Sequence, residues 1–376
     1  MVDRKPLDDR KKTPPPKETS KYNLHGPMNQ NKKYTPTVFV SGATGYIAQH
    51  IIKQLLDSQA YRVVGSVRSM DKAARLHELF NNNTNLSFAV VDDLCKVDAF
   101  DQVFQDRGME FDYIMHTATP VDLFCNDLQK SIILPAINGT KSIFQATVNY
   151  APNVKKFVYT SSYGAMRSPQ DNLDSNLTFD ETSWNKLTLE EGLQNGKNAC
   201  HYAKANAEKL VWEWEKTLNA KFAVVTVSPT FTFGPQCFDA SVGKTLNASC
   251  ECINLLVHSK FGEPVNNAIK GNFADVRNVA RAHVECITNA RLNGNRLIIN
   301  QGKFCLQLIA NIVNDKFPQL RGKIAVGCPD TVDQVCRSFA HLNDKATKEL
   351  LSFEFFSLSQ SVTDTVAQIL RVEEAS

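Results

Sequence analysis

No run of about 18 apolar residues appears in the 376-residue sequence, so no membrane-spanning helix is expected. Among ten cysteines there is no Cys-x-x-Cys pair, and Cys250-Glu251-Cys252 lacks both the spacing and the nearby histidines of a zinc site. No metal site is expected, and scattered thiols fit a reducing, cytoplasmic setting. Strong charge is also missing. The net charge is +3, and nine basic against four acidic residues in 1–36 leave the remainder of the chain at −2. No nucleic-acid-binding patch follows from that balance. The same 36 residues carry Pro14-Pro15-Pro16, repeated lysines and almost no large aliphatic side chain, too little apolar surface to order a segment. They are expected to be a disordered basic tail, with neither the apolar stretch of a secretory signal nor the acid-poor pattern of a mitochondrial presequence.

What is present is organised around Val38-Phe39-Val40-Ser41-Gly42-Ala43-Thr44-Gly45-Tyr46-Ile47-Ala48. Thr37 to Ser41 reads as a buried strand, and Ile47, Ile51, Ile52, Leu55 and Leu56 fall on one helical face. Gly42 and Gly45 therefore sit where a strand hands over to a helix, and unpaired N–H groups at a helix start suit a pyrophosphate. By itself the pattern reads equally as a tight connection. A second strand, Arg62 to Val67, follows at the distance where such folds recognise the adenosine ribose, and it runs into Arg68 with Lys72 one turn on. Two cations in place of an acid favour a 2′-phosphate, hence NADPH; the alternative is a pair of solvated loop charges.

Helix is expected over 73–80, strand over 86–91 and helix over 97–104, with Asp93 either meeting the adenine amine or capping that helix. A strand over 111–115 leads to the polar turn His116 to Pro120, at the sheet edge where ligands bind. A long helix over 132–150 holds Pro135 near its start and an Asn138 that needs a partner. Strand 156–159 ends in Thr160-Ser161-Ser162-Tyr163; residues 171–195 read as an irregular loop; helix 198–218 and strand 222–227 follow. Beyond Pro235 come helices over 246–258, 276–290, 306–317 and 358–372 and a strand over 296–300. The fold class is α/β, a doubly wound parallel sheet of the Rossmann type over 37–235, with a smaller C-terminal lid over 236–376 whose elements partly return to the core. Asp275 and Arg277, if buried, pair to hold that lid.

From about Pro36 onward, these motifs together with Gly65 to Ser69, Phe233-Gly234-Pro235-Gln236 and Asp275-Val276-Arg277 resemble an extended short-chain dehydrogenase/reductase. The likeness runs to the yeast NADPH-dependent methylglyoxal and isovaleraldehyde reductases and to plant dihydroflavonol reductases. The resemblance implies a cofactor site of Gly42, Gly45, Tyr46, Ile47, Arg68, Lys72, Asp93, Leu94, Thr117, Lys204 and Pro229. It implies hydride transfer to a carbonyl, with Ser162 bonding the carbonyl oxygen, Lys204 holding the ribose and Asn138 anchoring a water chain. Its tyrosine, four residues before the lysine, is absent. Ala207-Glu208-Lys209 fixes the register, and position 200 is Cys200. Tyr202 points about 200° away from Lys204 on a regular helix. Cys200 beside Lys204 is expected to tend toward thiolate, a poor proton donor, which leaves a bound-water relay or Tyr163 as candidate donors. Val121, Tyr163 and Arg167 are the expected substrate pocket, with Val121 and Arg167 where relatives carry aromatics. Two functions follow: a monomeric or homodimeric NADPH-dependent reductase of small aldehydes or ketones, or an NADP-binding pseudoenzyme.

Overall fold

β1 (Thr37–Ser41) is buried along its length, and its side chains alternate between two cores, Val38 and Val40 into one and Phe39 into the other. The computed structural model describes residues 34–119 and 125–375, so the expected tail falls outside them up to residue 33, as does Val121. After β1 come α1 (Tyr46–Asp57), β2 (Arg62–Val67), α2 (Met70–Leu79), β3 (Leu86–Val90), α3 (Asp101–Arg107) and β4 (Tyr113–His116). A π-helical turn, Gln129–Ile133, leads into α4 (Leu134–Tyr150), where Pro135 takes an early position that needs no amide donor. Next are β5 (Lys156–Thr160), β6 (Thr178–Phe179), α5 (Leu189–Gly192), α6 (Gly196–Thr217), β7 (Ala223–Pro229) and β8 (Phe231–Phe233). The chain closes with α7 (Glu251–Val257), β9 (Lys270–Asp275), α8 (Val276–Thr288), β10 (Arg296–Ile299), β11 (Gly302–Cys305), α9 (Leu306–Lys316), α10 (Val332–Arg337), β12 (His341–Leu342), α11 (Lys345–Leu350) and α12 (Leu358–Glu374).

Seven strands form one parallel sheet in the order β10-β7-β5-β4-β1-β2-β3. The order reverses between β1 and β4, so the chain leaves those neighbours toward opposite faces and a crevice opens at their carboxyl ends. One face carries α1 and α8 against Val63, Val158, Val225 and Leu297; the other carries an aromatic core of Phe39, Phe100, Phe104, Phe111, Phe144, Phe157 and Phe222. β10 and α8 belong to this layered sheet although they lie beyond residue 235. The rest of the C-terminal part builds a third core around β8, β9, β11, α7, α9 and α12.

Two helices start four or five residues later than the sequence suggests. α3 starts at Asp101 because the Phe100 amide is taken by Ser142 Oγ at 3.0 Å, and Asp93 Oδ1 accepts from the Cys95 amide at 2.8 Å in a separate turn. α7 starts at Glu251, whose carboxylate accepts from the Leu246 amide at 2.6 Å and so holds 246–250 outside the helix. The Asp275–Arg277 pair meets its expectation. Asp275 is fully buried, Arg277 Nε and Nη2 each donate to it at 2.8 Å, and Nη1 reaches Asp364 of α12 at 2.6 Å.

Candidate active site

The crevice between β1 and β4 is held open by one hydroxyl. Ser41 Oγ accepts from the Thr117 and Ala118 amides, both at 3.0 Å, so its own proton goes to His116 Nδ1 at 2.8 Å. Burial pushes the His116 pKa down to about 3, which keeps this ring neutral and able to accept. Gly42 has φ +68°, and a Cβ there would meet Ala118 Cα and Cβ at 3.0 Å, so only glycine turns the chain this closely past the neighbouring loop. Its amide donates to Ser66 Oγ at 2.9 Å, and the Ala43 amide to Ser66 O at 2.8 Å, pinning the turn to β2.

A cavity of about 290 Å³ lies over this turn, and Gly42, Gly45, Arg68, Lys72, Leu94 and Thr117 line it together with Thr44, Ser66, Ala118 and Thr119. No carboxylate lines it, and no ion pair among the described residues engages Arg68 or Lys72. Glycines that bring the backbone close, a helix start and two unpaired cations suit a dinucleotide carrying an extra phosphate. Five expected cofactor contacts lie outside this lining, and one of them, Lys204, lines a separate cavity. Asp93 spends an oxygen on the Cys95 turn. The Tyr46 hydroxyl donates to Gly234 O at 2.7 Å, Ile47 packs on the sheet core, and Pro229 is buried at the end of β7. Tyr46 and Ile47 open α1, so their backbone amides belong to the first turn, which has no partners within the helix.

A second cavity, about 520 Å³ and mainly apolar, shares the wall residue Thr119 with the first, and Ser162, Arg167, Cys200 and Lys204 line it. α6 supplies two of them because Cys200, Lys204 and Glu208 recur every four residues on one helical face. Asn195 Oδ1 caps the helix through the Asn198 amide at 2.9 Å. Glu208 is fully buried and fixes the rotation. It accepts from Ser161 Oγ at 2.6 Å, Thr226 Oγ1 at 2.8 Å and Arg296 Nε at 2.8 Å. One turn earlier, Lys204 Nζ donates to Thr119 Oγ1 and to Thr160 O, both at 2.9 Å. The residue is only part-buried because its stem faces cavities, but the ammonium lies deep, and burial lowers its pKa to about 8.

Cys200 differs from the expected thiolate. Burial raises its pKa to about 11 and outweighs the opposing pull of Lys204, so the thiol keeps its proton. Ser162 Oγ accepts from the Gly164 amide at 3.0 Å, which leaves its hydrogen available to a ligand. Tyr163 does not fill the donor role or line the pocket. Its ring sits among Met166, Ile298, Phe179 and Leu342, the Arg167 guanidinium covers it at 4.4 Å, and its hydroxyl has no partner among the described residues. Asn138 is likewise turned away from the lysine, its amide donating to Cys95 O at 3.1 Å. Tyr202 packs on Gly192, as a two-residue offset from Lys204 requires.

Sequence reasoning missed Thr119, His201, Asn172 and Lys270 in the lining, and Glu208 beneath it. Glu208 had a signal, a charged residue at four-residue spacing from Lys204. Lys270 had none, because β9 was not expected. Among the described residues no group of three His, Cys, Asp or Glu side chains could hold a metal, and no helix is long and apolar enough to cross a membrane.

The sequence model of the 3-beta hydroxysteroid dehydrogenase/isomerase family matches residues 39–307. A putative uncharacterized oxidoreductase of Saccharomyces cerevisiae is 43% identical over 341 residues, 89% of this chain and 98% of that protein. The NADPH-dependent methylglyoxal reductase GRE2 of the same yeast is 41% identical over 340 residues, 90% of this chain and 99% of its own length. A crystal structure of yeast methylglyoxal/isovaleraldehyde reductase Gre2 complexed with NADPH matches with a TM-score of 0.87 at 40% identity, over 90% of this chain and 100% of that one. These relatives carry oxidoreductase or methylglyoxal reductase names and lend no support to the pseudoenzyme alternative. The glycine turn, the strand order and the family match agree with the resemblance carried by the motifs: the chain belongs to the 3-beta hydroxysteroid dehydrogenase/isomerase family.

Proposed function

We propose that this protein is an NADPH-dependent carbonyl reductase that converts an aldehyde or ketone to an alcohol. The observation that carries this reading is that Ser162, Cys200 and Lys204 line one cavity that shares Thr119 with the glycine-turn cavity. Gly42, Gly45 and the first-turn amides of α1 hold the pyrophosphate. Arg68 and Lys72 hold the 2′-phosphate, while Leu94 and Asp93 border the adenine. Thr117 and Lys204 serve the nicotinamide ribose, with Pro229 behind it. NADPH, when bound, supplies the hydride. Ser162 donates a hydrogen bond to the carbonyl oxygen and orients it. Lys204 gives that oxygen its proton, since a pKa of about 8 lies near the working pH and a thiol held near 11 is the weaker acid. Residues 37–235 mainly carry the cofactor, and 236–376 supply the far wall of the substrate cavity through Ala248, Cys252 and Ile269. Ten unpaired thiols support a cytoplasmic, reducing compartment.

The test is NADPH oxidation with methylglyoxal, 3-methylbutanal and a panel of ketones, with NADPH binding followed separately by fluorescence. Turnover that Lys204→Ala abolishes supports the reading. It is overturned if the wild type binds NADPH and reduces nothing while Cys200→Tyr alone turns over.

A further inference from the structure

The larger cavity is apolar over most of its wall, yet every charge in its lining is positive. Arg167, Lys197, Lys204 and Lys270 face it, and no Asp or Glu does among the described residues. Lys204 is committed to Thr119 and Thr160, and Lys270 Nζ donates to Ser338 Oγ at 2.7 Å. Arg167 stands apart. It is 6% exposed, it forms no ion pair with the described residues, and of its five N–H donors one is used by Ser168 O at 3.1 Å. Its Nε has no partner. The neighbouring Asp171 attracts it through space but forms no ion pair with it, and its Oδ2 accepts from the Ser168 amide at 3.1 Å. His201, neutral or cationic by its chemistry, offers no negative charge, and its Nδ1 lies 3.2 Å from the Arg167 carbonyl oxygen.

A buried guanidinium without an anion is costly, and proteins keep one where a ligand completes it. A second buried polar group in the same cavity is also unfinished. Asn172, 7% exposed, has an Oδ1 without a partner. An amide turned about its axis would present N–H there instead, a second donor for the same ligand. Planar donors in a fork match a carboxylate better than a neutral carbonyl group.

Resting on the reductase reading above, we propose that the substrate is an oxo-acid, a carbonyl compound with an apolar body whose own carboxylate is held by Arg167. The carbonyl carbon takes the hydride from NADPH and the oxygen takes one proton, which gives a hydroxy acid and NADP. The Ile132, Phe231, Ala248 and Ile269 walls cover the carbon chain between the two ends.

The experiment compares acids with their neutral twins. Reduction by the wild type is measured for 4-oxopentanoate and 6-oxoheptanoate against their methyl esters, and for Arg167→Met and Arg167→Lys. In parallel, calorimetry measures hexanoate against hexanamide on the NADP-loaded protein. We expect kcat/KM to favour at least one acid over its ester by at least about tenfold, and Arg167→Met to erase that ratio while Arg167→Lys keeps part of it. Hexanoate should bind and hexanamide should not. The proposal is overturned if esters equal or exceed acids, or if the ratio survives in an Arg167→Met protein with wild-type NADPH affinity and melting temperature. If Arg167→Met does not fold, the wild-type pairs decide. If no carbonyl compound is reduced at all, hexanoate binding alone upholds the anion site and sinks the reductase reading, whereas absence of that binding sinks this proposal.

Discussion

Lys204 Nζ donates to Thr119 Oγ1 at 2.9 Å, and Thr119 is the residue common to the linings of the two cavities. The ammonium is thereby fixed at the junction where a nicotinamide and a carbonyl group would meet. Replacing Lys204 by Met should lower kcat/KM by roughly 10²- to 10⁴-fold, the usual worth of a positioned acid. Cys200→Ala should cost only a few-fold, because the thiol is the weaker acid and its removal opens a small space in a large cavity. Cys200→Tyr should raise the rate, since its longer side chain carries a hydroxyl donor toward the carbonyl oxygen from four residues before the lysine. Steady-state kinetics with 3-methylbutanal checks all three, and a Cys200→Ala loss as large as that of Lys204→Met would reassign the acid.

The pH profile follows from the same group. Lys204 must be protonated to act as acid, and burial brings its pKa down to about 8. Measured as kcat/KM for NADPH, which reports the free protein, activity should hold below that value and fall as pH rises through about 8. Lys204→Arg, which stays charged, should lack the falling limb even though its overall rate is lower. A wild-type profile flat to pH 10 would exclude Lys204 as the donor.

In the function proposed above, cofactor choice rests on Arg68 and Lys72, which line the smaller cavity with no carboxylate in its lining. Each charge-assisted contact to a phosphate contributes on the order of 1.5–3 kcal/mol. Arg68→Ala should therefore weaken NADPH binding by about tenfold or more and leave NADH binding nearly unchanged, as read by fluorescence titration. Equal losses for both cofactors would place Arg68 away from the 2′-phosphate.

Much of this architecture is legible before folding, and the exceptions have physical causes. β1 and β2 are marked at both ends because continuous apolar runs meet a glycine turn or Arg68, and the structure returns them as Thr37–Ser41 and Arg62–Val67. The start of α3 depends on Ser142, 42 residues away from Phe100, and no local pattern contains that bond. The same holds for Tyr163. Its position after Ser162 suggests chemistry, but a tight turn at Tyr163–Ala165 carries the ring under Arg167 and into an apolar cluster. Cys200 lines the cavity four residues before Lys204, as the spacing implies, whereas the direction of its pKa shift needs the burial that only the fold supplies.

Glu208 ties three separated segments to α6. Besides its hydroxyl partners it holds Arg296 of β10, whose Nη1 donates at 2.7 Å to the Glu181 and Ser183 carbonyls and whose guanidinium stacks on Trp184 at 3.7 Å. The irregular 171–195 segment is fastened to the sheet through this cation. Removing one partner of a buried pair strands the other, so Glu208→Ala should cost about 3–5 kcal/mol in urea unfolding. Because α6 would also lose its rotational anchor, kcat should fall in the fraction that stays folded. A loss below about 1 kcal/mol would mean that the pair adds little beyond its surroundings.

Acid should unfold this protein by way of its buried histidines. His283 Nδ1 donates to Val279 O at 2.8 Å, so Nε2 accepts from Thr160 Oγ1 at 2.8 Å, and burial lowers the ring's pKa to about 4. His116 is lowered to about 3 by burial, then by Lys204. For each, the unfolded chain binds a proton below about 6.5 that the folded chain refuses. Their contribution is therefore complete above pH 6.5 and is lost progressively as pH falls toward 4 and 3, amounting to about 2 kcal/mol per ring at pH 5. His283→Gln keeps an amide in the site and removes the titration. Its unfolding free energy should start lower at pH 7 yet decline less steeply between pH 7 and 5 than that of the wild type, and parallel slopes would show that His283 takes up its proton while folded.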